Sequence, residues 1–251
     1  MNTVHNDNSK IKLSFVVPYY NEEEIIKQSI REILRQLSNQ FPDSSYELLL
    51  VNDNSNDHSS EIVKEFGSLP YVHLVNFPTG PSHRENMAKA MKQAKGDIIC
   101  FFDIDLSCDI TYLKNLIDAI EIEGFDLAIG NRYHRMSILD RSLGRKLISL
   151  VYNPLIRILW GSKLSDHQCG FKAFKESIFT VLWDEMGFDS PFTRGWFWDT
   201  ELLLRAQKKS YKIKEIPVKW KNRFHEKTWL FFIKNEFRFI FYILRNYKKL
   251  K

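Results

Sequence analysis

The chain has 251 residues, 44% hydrophobic and 27% charged, a globular composition with a core of ordinary size that excludes a disordered or low-complexity chain. Its three cysteines, Cys100, Cys108 and Cys169, are odd in number and form no CxxC pair, which argues against a disulfide framework and for free thiols in a reducing compartment. The net charge of +5 is uneven, since residues 205–251 carry 15 Lys/Arg against 3 Asp/Glu, and a basic end of this kind suits an anionic surface.

Residues 1–10 are polar, lack the apolar run of a signal peptide and read as a flexible N-terminus. A strand over 11–17 precedes an amphipathic helix over 22–37, with Ile25, Ile26, Ile30, Ile33, Leu34 and Leu37 on one stripe. Further strands fall at 46–51, 71–76, 97–102 and 125–130, with helices at 59–66, 84–95 and 111–122 between them. This rhythm predicts an α/β fold, a mostly parallel central sheet with helices on both faces. Next come an amphipathic helix over 141–161 ended by Gly161, a loop and short strand over 166–175, and a helix over 198–209. A strand over 211–220 follows, and Pro217 places it near a sheet edge. Without a repeat or linker, 11–226 reads as one domain. In 227–251, Lys234, Arg238 and Arg245 share one helical face, and Phe232, Phe239, Ile240, Ile243 and Tyr247 another. That is a basic, aromatic amphipathic helix suited to a membrane interface; charges at 234, 236 and 238 leave no run able to span a bilayer. The plainer alternative is a terminal helix packed on the sheet.

Ligands of such sheets bind beyond the carboxyl ends of the strands, so segments 18–22, 52–57, 76–84, 103–107 and 130–132 are candidates for one shared site. The sharpest signal is Asp103-Ile104-Asp105, directly after an apolar run. Residues i and i+2 of an extended segment point to one side. Two carboxylates held together repel unless a cation lies between them. Oxygen ligands of this kind suit Mg2+ or Mn2+ shared with a substrate's phosphates. A calcium loop starting at Asp103 fails at Cys108 and Lys114, and no GxGxxG, phosphate-binding loop or HExxH motif occurs. Acids at the strand ends also argue against nucleic acid as a partner.

The segments FVVPYYNEEE (15–24), VNDNSNDHS (51–59), GDIICFFDIDLS (96–107), IGNRY (129–133) and DHQCGFKAFK (166–175) occur in the order and spacing of family 2 glycosyltransferases. The chain most resembles the polyprenyl-phosphate sugar synthases of the dolichyl-phosphate mannose synthase and dolichyl-phosphate β-glucosyltransferase type. The resemblance implies a GT-A fold. It implies an inverting transfer of a hexose from a nucleotide-diphospho-sugar (UDP-glucose or GDP-mannose type) to dolichyl or undecaprenyl phosphate. On this resemblance, Pro18, Tyr20 and Glu22 line the nucleotide pocket, and Asn52 and Asp53 stand at the base. Asn52 replaces the usual first acid there, and Asn54 the usual glycine. Asp103 and Asp105 hold Mg2+ or Mn2+ on the donor diphosphate. Arg132 and Arg145 lie near the acceptor phosphate, where a planar guanidinium binds oxygens in pairs. Gly170 and Phe171 shape the acceptor loop, and Asp166 orients it. The chain departs from the family at 76–86, a longer, basic entry in which His83 or Arg84 is expected to contact donor phosphates. It departs again at 223–229, where a GxSK segment is missing.

A phosphate acceptor is largely ionised at neutral pH, its second pKa being about 6, and needs no strong base. A sugar-hydroxyl acceptor, the alternative within this family, needs one, and Asp199 or Glu201 are the candidates. A lipid-linked acceptor places the protein peripherally on the cytoplasmic face of a membrane, with or without a membrane-protein partner. A nucleotidyltransferase would need a Gly-rich basic loop where this chain has PYYNEEE. A non-catalytic membrane-binding module would account for the basic end but not for the acids.

Overall fold

The structure, a computed structural model, describes residues 11–42, 45–140 and 143–221 and Tyr242, with backbone only for 143–150. In chain order the elements are β1 (Leu13–Tyr19), α1 (Ile26–Gln40), β2 (Tyr46–Asn52), α2 (Ser59–Lys64), β3 (Val72–Asn76), α3 (Glu85–Met91) and β4 (Ile98–Phe102). A short 3-10 turn, Ile110–Tyr112, leads into α4 (Leu113–Glu121), β5 (Leu127–Asn131), β6 (Ile138–Asp140) and α5 (Leu143–Trp160). Then follow β7 (Phe171–Lys175), α6 (Glu176–Met186), α7 (Phe197–Lys208), β8 (Ile213–Pro217) and β9 (Lys219–Lys221).

Seven strands form the main sheet in the order β3-β2-β1-β4-β7-β5-β8, and β6 pairs with β9 in a small second sheet. Strands β1 to β4 pair in parallel, as do β5 and β8. Alternate residues of a strand face opposite sides, and the two cores follow from that. Phe15, Val17, Leu48 and Leu50 pack with α1, α2 and α4; Val16, Leu49, Val51 and Phe101 pack with α3, α6 and α7. Helices therefore cover both faces, as the alternating pattern predicts. Strand β8 lies at the sheet edge, where Pro217 is tolerated. Gly161 follows α5 with φ of +66°, a left-handed stop that glycine adopts without strain.

Three features differ from the sequence reading. Strand β7 runs antiparallel between β4 and β5; a short, largely buried strand carries no periodicity that reveals its direction. Helix α6, which buries only Phe179, Leu182 and Met186, and strand β6, three residues long and largely exposed, leave faint patterns. Helix α5 is not amphipathic where its side chains are described: Tyr152 and Ile156 are buried, yet Val151, Leu155 and Ile158 are exposed. The flexible N-terminus expected at 1–10 lies outside the described residues, as does the interfacial helix expected at 227–251 apart from Tyr242. Among the described residues no helix is long and apolar enough to cross a membrane.

Candidate active site

The carboxyl ends of β1 and β2 are joined. The backbone N–H groups of Asn21, Glu22 and Glu23 donate to Ser55 Oγ, Ser59 Oγ and Asp57 Oδ2. Pro18, Tyr20 and Glu22 are half-buried beside this seam. Asn52 is buried; its Nδ2 donates to Ser60 Oγ at 2.6 Å and Asn76 Oδ1 at 3.2 Å, and its Oδ1 accepts from the Ser55 N–H at 2.9 Å. An amide here both donates and accepts, which an ionised carboxylate does not. Asn54 has φ of +67°, so the residue in the usual glycine's place keeps a left-handed backbone that asparagine tolerates. Asp53, also buried, accepts from Ser82 N and Oγ at 2.8 Å each and from Asn86 Nδ2 at 2.6 Å. Both oxygens of Asp53 are thus engaged in holding the segment that leads into α3.

That segment delivers Arg84, 3% exposed, into the centre of the site. Its Nη1 donates to Asp103 Oδ1 at 2.6 Å and its Nε to Asp199 Oδ2 at 3.0 Å, while Lys172 Nζ reaches Asp199 Oδ1 at 2.6 Å. Two carboxylates and two cations alternate: Asp103, Arg84, Asp199, Lys172. The guanidinium carbon of Arg84 lies 5.2 Å from the Phe101 and the Trp196 ring centroids, close enough for cation–π attraction. Burial alone would raise the Asp199 carboxyl, but Lys172 and Arg84 outweigh it and hold it below the usual carboxylate range. Asp103 keeps 42% of its side chain exposed, so the network ends at a solvent-facing acid. His83, with φ of +63°, packs its ring 4.9 Å from that of Trp196.

Asp105 accepts from Ser107 N at 2.9 Å and Oγ at 2.6 Å, an Asx turn that fixes the acid two residues beyond Asp103. Gly170 crosses directly over Asp103, and a Cβ there would stand 2.0 Å from Asp103 Oδ2 and 2.8 Å from Arg84 Nη2. Arg132 is paired with the fully buried Asp166, its Nε and Nη2 donating at 2.7 and 2.8 Å and its backbone N–H at 3.0 Å. Burial raises the Asp166 carboxyl, but Arg132 prevails and keeps it below the usual range. Asp166 therefore orients Arg132 as well as its own loop. Cys100, Cys108 and Cys169 are all buried and free.

Arg145 lies in the first turn of α5, and its side chain is outside what is described. Glu201, 3% exposed, is held by Arg205 Nε at 2.9 Å and by the Tyr242 hydroxyl at 2.9 Å, with Arg194 Nε at 3.3 Å. The structure thus gathers Arg84, Asp103 and Asp199 into one network with Gly170 against it, while Asp105, two residues on, is held by Ser107. Sequence reading missed Lys172 and Arg194. The signal for Lys172 was a charge flanked on both sides by apolar residues in the strand FKAFK; Arg194, in an irregular segment, offered none.

A parallel half-sheet with helices on both faces and an acid pair after its β4 strand defines the class: a GT-A, nucleotide-sugar-transferase fold. The family model for glycosyl transferase family 2 matches residues 14–183, and the chain belongs to that family. It is 31% identical over 211 residues to glycosyltransferase AglD of Haloferax volcanii, covering 84% of this chain and 33% of that protein. It is 28% identical over 235 residues to dolichyl-phosphate beta-glucosyltransferase of Saccharomyces cerevisiae, covering 86% and 69%. The chain therefore spans only a third of the first relative. Among solved structures, glucosyl-3-phosphoglycerate synthase of Mycobacterium tuberculosis, crystallised with Mn2+, UDP and phosphoglyceric acid, superposes with a TM-score of 0.67. That likeness covers 94% of this chain and 78% of the other at 19% identity, and it is a likeness of fold.

Proposed function

We propose that the protein transfers a hexose from a nucleotide-diphospho-sugar to a polyprenyl phosphate with inversion at the anomeric carbon. The observation that carries the acceptor class is the condition of the two acids able to serve as a base. Asp199 and Glu201 are each buried and held by cations. A sugar hydroxyl would need a base free to take its proton; a phosphate monoester, already ionised, needs only cations that position it. The dolichyl-phosphate relative supports the same reading.

Asp103 and Asp105 are the residues that would hold Mg2+ or Mn2+. Among the described residues no cluster of three His, Cys, Asp or Glu forms a cage. Two carboxylates are the protein share with which such ions are bound when substrate phosphates and water supply the remaining oxygens. When bound, the cation offsets the charge that builds on the departing diphosphate. The chain's own residues prepare that site. Asp199 and Lys172 fix Arg84, Arg84 fixes Asp103, and Ser107 fixes Asp105. Pro18, Tyr20, Glu22, Asn52 and Asp53 form the floor on which the nucleotide rests. Asp53 acts there by shaping the 79–86 segment rather than by a free carboxylate. Arg132, oriented by Asp166, and Arg145 meet the acceptor phosphate. The test is a panel of nucleotide sugars offered with polyprenyl phosphate or with the corresponding prenol. A hexose on the phosphate alone supports the reading, and transfer only to hydroxyl acceptors overturns it. Position on the cytoplasmic face of a membrane follows from the same acceptor.

A further inference from the structure

Arg84 belongs to the segment 76–86, where the chain departs from its family's pattern, and its guanidinium is fixed from several sides. It lies between the Phe101 and Trp196 rings, 5.2 Å from each centroid, and the residue is buried. Nε donates to Asp199 Oδ2 at 3.0 Å, and Nη1 and Nη2 face the two oxygens of Asp103 at 2.6 and 3.4 Å. The backbone around it is pinned as well, since Asp53 accepts from Ser82 and Asn86. Arginine does not give up its proton in a protein, so Asp103 has a permanent positive neighbour. Asp199 has no charge to lend in exchange, because Lys172 Nζ holds its other oxygen at 2.6 Å. The four side chains Asp103, Arg84, Asp199 and Lys172 together carry no net charge. A dication brought to Asp103 therefore meets a neutral cluster with a fixed cation alongside. Like charges that close disfavour one another more steeply in a partly buried site than in water. A nucleotide diphosphate supplies the negative charge that is missing.

We infer that Arg84 is the resident counter-cation of Asp103, and that its charge makes capture of a divalent cation at this acid conditional on a nucleotide diphosphate. This role rests on the proposed cation seat at Asp103 and Asp105 and deepens it by naming the residue that controls it. Arg84 acts here through Asp103, as a positioning residue. Coupling between two ligands is reciprocal, so the cation tightens nucleotide binding by the same factor as the nucleotide tightens cation binding.

The experiment compares the full unaltered chain with Arg84→Gln and Arg84→Met. Both variants remove the charge, and methionine keeps an apolar stem between Phe101 and Trp196; thermal melting is the folding control. Mn2+ binding is measured by equilibrium dialysis with and without UDP, and no turnover is needed. Without UDP the neutral variants should bind Mn2+ more tightly than the unaltered chain, by about 5–150-fold, the usual span of coupling between two ligands. The gain in Mn2+ affinity that UDP brings should shrink by the same factor. A merely structural Arg84 predicts the opposite sign, because Asp103 would be less well held and Mn2+ would bind more weakly. Nucleotide-free affinity in both variants that is unchanged or lower, with UDP-dependent binding intact in the unaltered chain, overturns the role of Arg84 and leaves the cation seat standing. Equal Mn2+ affinity of the unaltered chain with and without UDP overturns it too, whatever the variants do. If no chain binds Mn2+ even with UDP, the seat at Asp103 and Asp105 fails, and the control of it by Arg84 fails with it.

Discussion

Gly170 lies so close over Asp103 that a single methyl group at its α-carbon would come within 2.0 Å of Oδ2. The backbone of the segment before β7 is therefore packed on the very acid that Arg84 orients. Gly170→Ala should displace Asp103, lower turnover by at least about 100-fold if a 1 Å shift has its usual cost, and destabilise the fold by about 1–3 kcal/mol through overpacking. Steady-state kinetics and thermal melting measure the two effects. A near-native Gly170→Ala enzyme would mean that Asp103 is not held where catalysis needs it.

Asp199 is expected to position Arg84 and Lys172 without taking a proton. Asp199→Asn should cost about 3–5 kcal/mol, since two buried cations lose their shared counter-charge. With a polyprenyl phosphate acceptor the shape of the pH profile of kcat should stay the same. A loss of about 10²–10⁴ in rate, with the acidic limb of the profile gone, would make Asp199 a general base and restore the hydroxyl-acceptor reading.

The fold should weaken on mild acidification for a reason that can be traced to His167. Its Nδ1 faces Asn153 Oδ1 at 2.9 Å and its Nε2 the Ser162 hydroxyl at 2.7 Å. Burial pushes the imidazole down to about 4, against about 6.5 in an unfolded chain. Between these values the unfolded chain binds the extra proton, so stability present above pH 6.5 is lost as pH falls toward 4. Urea unfolding at pH 7.5 and 4.5 should show a decrease on the order of 2–3 kcal/mol from this group, and His167→Gln should remove it. Asp166 and Asp199, both held below the usual carboxylate range, act lower still. Their contributions are whole above the unfolded carboxyl value of about 4 and disappear as pH falls below it. Equal acid sensitivity of the His167→Gln protein would contradict the assignment.

The Tyr242 hydroxyl donates to Glu201 Oε2 of α7 at 2.9 Å and accepts from Arg194 Nε, which precedes that helix, at 3.2 Å. Tyr242→Phe keeps the ring contact with Phe197, 5.6 Å between centroids, and removes both hydrogen bonds. A loss of about 1.5–3 kcal/mol is expected, as both partners are charged. Unfolding that matches the unaltered protein would show the pairing to be incidental.

Much of this architecture is legible in the residues. Runs such as Ile98–Phe102 must be buried on both faces, and acids placed immediately after such a run must lie at a strand's carboxyl end. The reading of Asp103 as a site acid follows from that placement. Its partner does not, because Arg84 is 19 positions away and reaches it only through a segment whose path is set by Asp53, Ser82 and Asn86. Lys172 was hidden for a similar reason: whether a charge in a strand meets solvent or a buried carboxylate depends on β7 lying antiparallel between two other strands. Long-range ion pairs are products of topology, and local pattern does not encode them.

The most direct measurement is titration of Mn2+ into the full chain with UDP present, followed by electron paramagnetic resonance, for the unaltered protein and for Asp103→Asn and Asp105→Asn. Bound Mn2+ that appears with the nucleotide and is lost in both variants is the predicted result. Equal Mn2+ binding by all three proteins would contradict a cation seat at these two acids, and with it the proposed chemistry.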